Sequence, residues 1–179
     1  MKLIMDLKKY IRSIPDYPKK GILFRDITTL IKDAEAFKYT NDKIVEIAKE
    51  IEFDKVAAIE SRGFVFASTV SYLLKKPFIL LRKKNKLPAE VHSIDFELEY
   101  GNATIEVHKD SIKKNEKILV IDDLIATGGT AEAAAKLIKI SGGKIAGFIF
   151  VINLYDLPGN NLLKKKGYFT KSLIEFPGH

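Results

Sequence analysis

The chain has 179 residues, 46% of them hydrophobic, with a formal net charge of +7 and no cysteine. That is enough length and apolar content for one globular domain with a sizeable core; the missing cysteines exclude disulfides, thiolate metal sites and cysteine nucleophiles, and no run of about 18 apolar residues is present to cross a membrane. The basic balance leaves nucleic acid, anionic lipid or a phosphorylated small molecule as partners, with the lysines dispersed except for denser runs at 82–86 and 164–166.

At the N-terminus Leu3, Ile4, Leu7 and Ile11 recur at helical spacing between Asp6 and lysines, which predicts an amphipathic first helix and not a signal sequence. Residues 15–30, "PDYPKKGILFRDITTL", are broken by Pro15, Pro18 and Gly21 and keep no period. Residues 33–51 turn helical. "KVAAIE" (55–60) reads as a buried strand, "GFVFASTVSYLLKK" (63–76) as a helix and "PFILLRK" (77–83) as a second strand. In "SIDFELEYGNATIEVH" (93–108) apolar and polar residues alternate around Gly101-Asn102, which predicts a hairpin turning there. Its lead-in, "KKNKLPAEVHS", is polar, and the whole reads as a flap inserted after a strand end. "KILVIDD" (117–123) is a third strand, "TAEAAAKLIKIS" (130–141) a helix ended by Gly142 and Gly143, and "KIAGFIFVINL" (144–154) a fourth strand. Strands alternating with helices imply an α/β fold, a mostly parallel sheet flanked by helices. In such sheets ligands bind beyond the carboxyl ends of the strands. No linker or repeat divides the chain, so 1–179 reads as a single domain.

The stretch "KILVIDDLIATGGTAEAAAK" (117–136) carries the strongest chemical signal. A strand ends in two adjacent carboxylates, Asp122 and Asp123, and Thr127-Gly128-Gly129-Thr130 then opens an alanine-rich helix. Amides at a helix start lack intrahelical partners, and the helix dipole favours an anion there. Gly128 and Gly129 let a phosphate approach the backbone with no Cβ in the way. Thr127 and Thr130 add hydroxyl donors. Taken alone, the loop is as readily a Thr-capped helix start, and it lacks the GxxxxGK[ST] pattern of a P-loop. The carboxylates shift the balance. They repel a bare phosphate but accept hydrogen bonds from sugar hydroxyls, so acids and loop together suit a ribose 5-phosphate.

"ILVIDDLIATGGT" resembles the phosphoribosyl pyrophosphate (PRPP) signature of type I phosphoribosyltransferases. The resemblance implies that Ala126, Thr127, Gly128, Gly129 and Thr130 hold the 5-phosphate while Asp122 and Asp123 face the ribose hydroxyls. "PKKGILFRDIT" (18–28), "ESRGFVF" (60–66), "LRKKNKLP" (81–88) and "LEYG" (98–101) are similar, in order and spacing, to the adenine phosphoribosyltransferases of that family. The similarity runs from the first helix to about residue 154. It implies a type I phosphoribosyltransferase-like fold with an N-terminal base-binding hood (1–32) and a flexible hairpin flap (83–107).

By this resemblance Phe24 stacks on a purine, an interaction of about 1–3 kcal/mol. The Leu23 carbonyl accepts from the exocyclic amine, the Arg25 amide donates to a neighbouring ring nitrogen, and Leu154 covers the other face. That donor and acceptor order favours adenine over a 6-oxopurine. Arg62 grips the pyrophosphate beside the Ser61 and Gly63 amides, with a cis peptide expected at Glu60-Ser61. Arg82, Lys83 and Lys86 stabilise charge on the leaving group. Two departures stand out: Glu60 where many relatives have Asp, and Asn85 where many have Gly. Alternation singles out no acid among Asp95, Glu97 and Glu99. The resemblance assigns Glu99 as catalytic acid/base or cation stabiliser, with Tyr100 closing over the site.

The resemblance thus implies a cytoplasmic, homodimeric enzyme that converts adenine and PRPP to AMP and pyrophosphate. Magnesium is the expected cofactor, held mainly by substrate phosphates and met by Asp122 or Asp123 directly or through water. Neither nucleic acid nor a membrane is an expected partner. Two alternatives stand beside it: a phosphoribosyltransferase for guanine, hypoxanthine or xanthine, and a non-catalytic PRPP-binding regulator. Some such regulators append a DNA-binding module, for which one short N-terminal helix leaves no room.

Overall fold

The computed structural model describes residues 4–98 and 101–178. Its N-terminal segment departs from the predicted amphipathic helix. Only Leu7–Tyr10 are helical, as a 3-10 turn started by Asp6, whose carboxylate accepts from the Lys8 amide. One turn suffices to bury Leu7 and Ile11, while Ile4 stays 91% exposed, so a longer helix has no further face to bury. Leu3 lies outside the described residues. The chain then extends as β1, Arg12–Pro15, antiparallel to β2, Leu23–Asp26. The Arg12 guanidinium meets the buried Asp26 carboxylate at 3.0 Å (Nε) and 2.5 Å (Nη2) across this pair. These inter-segment bonds outweigh a local helical periodicity. Asp26 also accepts from the Thr28 amide and hydroxyl, which opens α1, Thr28–Ile31.

From there the chain alternates. α2, Ala34–Ala48, starts at Asp33, whose side chain accepts from the Ala36 amide as an N-cap. β3 is Lys55–Ile59, α3 Arg62–Leu74 and β4 Phe78–Lys83. The hairpin is β5, Val91–Leu98, and β6, Gly101–His108; then follow β7, Lys117–Ile125, α4, Gly129–Ile140, and β8, Lys144–Leu154. α5, Gly159–Lys165, and β9, Thr170–Phe176, complete the sheet at one edge.

The seven-stranded sheet has the order β5-β6-β4-β3-β7-β8-β9. β4, β3, β7, β8 and β9 run parallel, and the hairpin joins antiparallel through β6 against β4. Gly101 pairs with Leu98 and Asn102 with Glu97, so the reversal lies before the predicted Gly101-Asn102 turn, and both residues belong to β6. Moving a reversal by two residues leaves every side chain on its own face, so alternation cannot choose the register. Contacts between strands do: Ile94 sits opposite Ile105, and the Thr104 hydroxyl donates to Asp95 at 2.6 Å.

β7 is the spine of the core. Leu119 and Ile121 join the cluster on the α2 and α3 side, whereas Ile118, Val120 and Ile125 join the one under α4. Burial on both faces is what a parallel strand covered by helices requires. α4 buries Ala131, Ala133, Ala134 and Ala135 in the cluster that holds Ile118, Val120 and Phe148.

Candidate functional site

The carboxyl ends of β3 and β7 open onto a pocket of about 260 Å³ lined by Glu60, Ser61, Arg62, Asp122, Asp123 and the loop 126–130. Strand alternation separates the two acids: Asp123 is 4% exposed, and Asp122 is half-buried beside it. Asp122 Oδ1 accepts from the Asp123 amide at 2.9 Å. Asp123 Oδ2 lies 3.0 Å from Arg62 Nε as an ion pair, yet it is buried with no hydrogen-bond partner among the described residues. Burial first, and then the neighbouring Asp123 charge, hold the Asp122 pKa well above the ordinary carboxylate range. Burial also raises Asp123, against the pull of Arg62. A buried carboxylate oxygen with one cation beside it and no hydrogen bond among the described residues, next to a second acid, is a place for a ligand bringing hydroxyls or a cation.

These two hard oxygen donors fit magnesium. No group of three or more His, Cys, Asp or Glu among the described residues could hold a metal. A cation here would therefore depend on the ligand's own phosphates.

Gly128 caps α4 at φ +91°, a conformation that favours glycine. The start of α5 braces this loop from one side. The Gly159 amide donates to the Ala126 carbonyl at 3.0 Å, and a Cβ at Gly159 would lie 2.4 Å from that oxygen and 2.7 Å from Gly128 N. Sequence reasoning missed Gly159, because "LPGNN" signals only a turn. From the other side β5 crosses the loop, with the Glu97 carbonyl 3.2 Å from where a Gly129 Cβ would sit. At the start of α3, Gly63 lies so close to Asp122 that a Cβ would meet its Oδ1 at 2.6 Å. The Glu60-Ser61 peptide preceding it is cis, as expected.

The basic turn 82–86 is shaped by two acids that sequence reasoning did not assign. Glu60 accepts from Arg82 Nε at 3.3 Å, Arg82 Nη2 at 3.4 Å and the Lys83 amide at 3.0 Å. The Arg82 bonds, helped by that amide, keep the Glu60 pKa below its ordinary value. Glu106, buried on β6, accepts from the amide of Asn85, which has φ +62°. Lys83 and Lys86 line an adjoining pocket with Glu60 and Thr130, while Arg82 is turned to Glu60 and to the Lys86 carbonyl.

A second, more apolar pocket of about 290 Å³ brings together Leu23, Phe24, Arg25 and Leu154, with Leu157 and Gly178 as lining that the sequence did not indicate. Tyr17 packs edge-on against Phe24 at 5.1 Å between centroids, and the Arg62 guanidinium carbon lies 5.3 Å from the Phe24 ring. Arg62, Leu124 and Ala126 line both this pocket and the acidic one. Glu99 and Tyr100 lie outside the described residues.

Residues 28–177 match the phosphoribosyl transferase domain. The adenine phosphoribosyltransferase of Pelagibacter ubique is 72% identical over 175 residues, 98% of this chain and 100% of that protein. The crystal structure of adenine phosphoribosyltransferase from Thermoanaerobacter pseudethanolicus has a TM-score of 0.90 at 45% identity, covering 95% of this chain and 98% of its own. The Giardia lamblia enzyme complexed with 9-deazaadenine gives a TM-score of 0.90 at 33% identity, covering 96% of each chain.

Proposed function

Because this chain belongs to the phosphoribosyltransferase family, we propose that it transfers the 5-phosphoribosyl group of PRPP to adenine, releasing AMP and pyrophosphate. One observation carries this reading: an acid-and-anion pocket and an apolar, aromatic-lined pocket meet along Arg62, Leu124 and Ala126. A sugar phosphate in the first is thereby set against a flat base in the second.

In this reading the loop 126–130 takes the 5-phosphate through amides and threonine hydroxyls. Asp122 and Asp123 accept from the ribose hydroxyls; Asp123 Oδ2, ion-paired with Arg62 but without a hydrogen bond among the described residues, supports that assignment. The base lies on Phe24 under Leu154, its edge read by the Leu23 carbonyl and Arg25 amide. A base nitrogen attacks the anomeric carbon as the bond to pyrophosphate breaks. Ser61, Arg62 and Gly63 hold the departing group, with Lys83, Lys86 and Arg82 supplying positive charge as negative charge develops. Asp122 and Asp123 would hold magnesium, directly or through water, and when bound it would neutralise charge on the leaving group. Glu99 manages the proton on the purine or offsets the cationic sugar, and Tyr100 closes over it. The hood 1–32 presents the base-binding residues. The flap 83–107 excludes water, the competing nucleophile.

We also infer a cytoplasmic homodimer. Exposed apolar side chains at Tyr72 and Leu73, at the end of α3, and at Leu80 on β4 support self-association. No helix among the described residues is long and apolar enough to cross a membrane.

The test is a base panel. Purified protein with PRPP and magnesium should form AMP and pyrophosphate from adenine, and no nucleotide from guanine, hypoxanthine or xanthine. Absence of AMP across pH and magnesium concentration would overturn the reading, and a 6-oxopurine product would favour the rival specificity. Glu99→Gln should lower turnover by roughly 10²–10⁴-fold with PRPP binding retained.

A further inference from the structure

The base pocket is built from two walls far apart in sequence. One is the hood, with Leu23 and Phe24; the other is the turn after β8, with Leu154 and Leu157. We propose that the Arg25 side chain and the C-terminal residues 176–178 form a strap that ties these walls together, making Arg25 and Asp156 positioning residues for adenine. The inference rests on the adenine reading above.

Arg25 is only 6% exposed, and its side chain leaves the hood. Its Nη1 donates to Ser13 Oγ within the hood at 2.5 Å, and its Nη2 donates to the Pro177 carbonyl at 2.8 Å. The guanidinium carbon stands 4.6 Å from the centre of the Phe176 ring. The tail in turn grips the second wall. The Tyr155 amide donates to the Phe176 carbonyl at 3.0 Å, and the Gly178 amide donates to Asp156 Oδ1 at 2.7 Å. Gly178 packs so tightly that a Cβ there would meet Leu157 Cγ at 2.9 Å. The Leu157 amide donates to the Leu154 carbonyl at 3.1 Å, which closes the path to the residue set opposite Phe24.

Burying a guanidinium is costly, and an apolar side chain would hold a tail to a core without that cost. What the guanidinium adds is direction: in its rigid fork one donor, held by Ser13 of the hood, aims the other at the Pro177 carbonyl of the tail. A neutral, flat base has no charge with which to pull its pocket closed, so its affinity depends on the spacing of the two faces. PRPP, held by charges and a helix terminus, does not depend on this strap.

The experiment compares Asp156→Ala, Arg25→Lys, Arg25→Met and the Arg25→Met/Asp156→Ala double variant, measuring KM for adenine and for PRPP. The Asp156 side chain is exposed, so its loss threatens folding least. Asp156→Ala should raise the adenine KM by about 2–12-fold, the effect of one net hydrogen bond, with the PRPP KM within about twofold of the parent. Arg25→Met should raise the adenine KM at least as far, and Arg25→Lys, which keeps one donor for Pro177, should recover part of it. The double variant should be no worse than Arg25→Met, because both changes cut one strap. An unchanged adenine KM in Asp156→Ala and Arg25→Lys overturns the proposal, and so does an equal rise in both KM values. If Arg25→Met does not fold, those two variants still decide. A parent protein that makes no AMP overturns the adenine reading itself; an active parent with unshifted variants overturns the strap alone.

Discussion

A methyl group at position 159 sets two effects against each other. Gly159 opens α5 with a φ outside the left-handed region, so alanine can adopt its backbone. In a helix alanine is worth about 1 kcal/mol over glycine. Against that gain, the new Cβ would stand 2.4 Å from the Ala126 carbonyl oxygen, 2.7 Å from Gly128 N and 2.9 Å from Ile125 Cγ1. Ordinary contact begins at 3.4 Å, so clearing the oxygen requires a shift of about 1 Å. Two of the three atoms are loop backbone, which cannot rotate aside as a side chain can. Overpacking of this kind costs roughly 1–3 kcal/mol, which leaves a net loss of about 0–2 kcal/mol. For a chain of this size that lowers Tm by at most about 8 °C. The kinetic effect should be larger, because the displaced atoms belong to the loop assigned to the 5-phosphate. A misplacement of about 1 Å can cost on the order of 10²-fold in rate. Gly159→Ala should therefore fold, melt slightly lower and lose roughly 10–100-fold in kcat/KM for PRPP. Thermal melts and initial rates at varied PRPP measure both. A Tm at or above the parent's with kcat/KM within twofold would mean that helix propensity wins and that α5 does not brace the loop.

Asp122→Asn should stabilise the ligand-free protein while impairing catalysis. The folded state holds the Asp122 pKa above the ordinary value of 3.8. Below that value both folded and unfolded states are protonated and the penalty vanishes. Above it the unfolded state releases the proton first, so this residue's penalty grows with pH until the folded carboxyl also ionises. The Tm advantage of Asp122→Asn over the parent should thus widen as pH rises from about 4 to neutrality; a constant or shrinking advantage would refute the burial argument. Phe24→Ala should raise the adenine KM by roughly 5–150-fold, from the loss of about 1–3 kcal/mol of stacking. A change under about twofold would place the base elsewhere.

Much of the site was legible because its signals are local. "IDDLIATGGT" joins a strand end, two acids and a helix start within ten residues, and the structure gathers all of them around one pocket. Phe24 was legible as an aromatic in a Pro- and Gly-broken segment, and it lies with Leu154 in the second pocket. The N-terminal helix failed because a helical period of four apolar residues cannot reveal a β partner. Arg12 and Ile14 find theirs in Asp26 and Phe24. The hairpin turn was misplaced because alternation is blind to a two-residue shift. The contacts of Glu60 were unreadable because a carboxylate two residues before an Arg-Gly step carries no sign of a partner 22 residues on.

By itself the sequence determined the alternating α/β order from residue 33 to 154, the acid pair and glycine loop at the end of β7, and, by resemblance, the family to which 28–177 match, whereas α5 and β9 carried no readable pattern. Each of these depends on periodicity or on neighbours within one turn or strand. Only the tertiary structure decided the hairpin register, the brace of Gly159 against Ala126, the clamp of Glu60 on Arg82 and Lys83, and the reach of Arg25 to Pro177, 152 residues away. Such contacts join residues of ordinary type in unpatterned segments. Packing geometry, and not local chemistry, selects them.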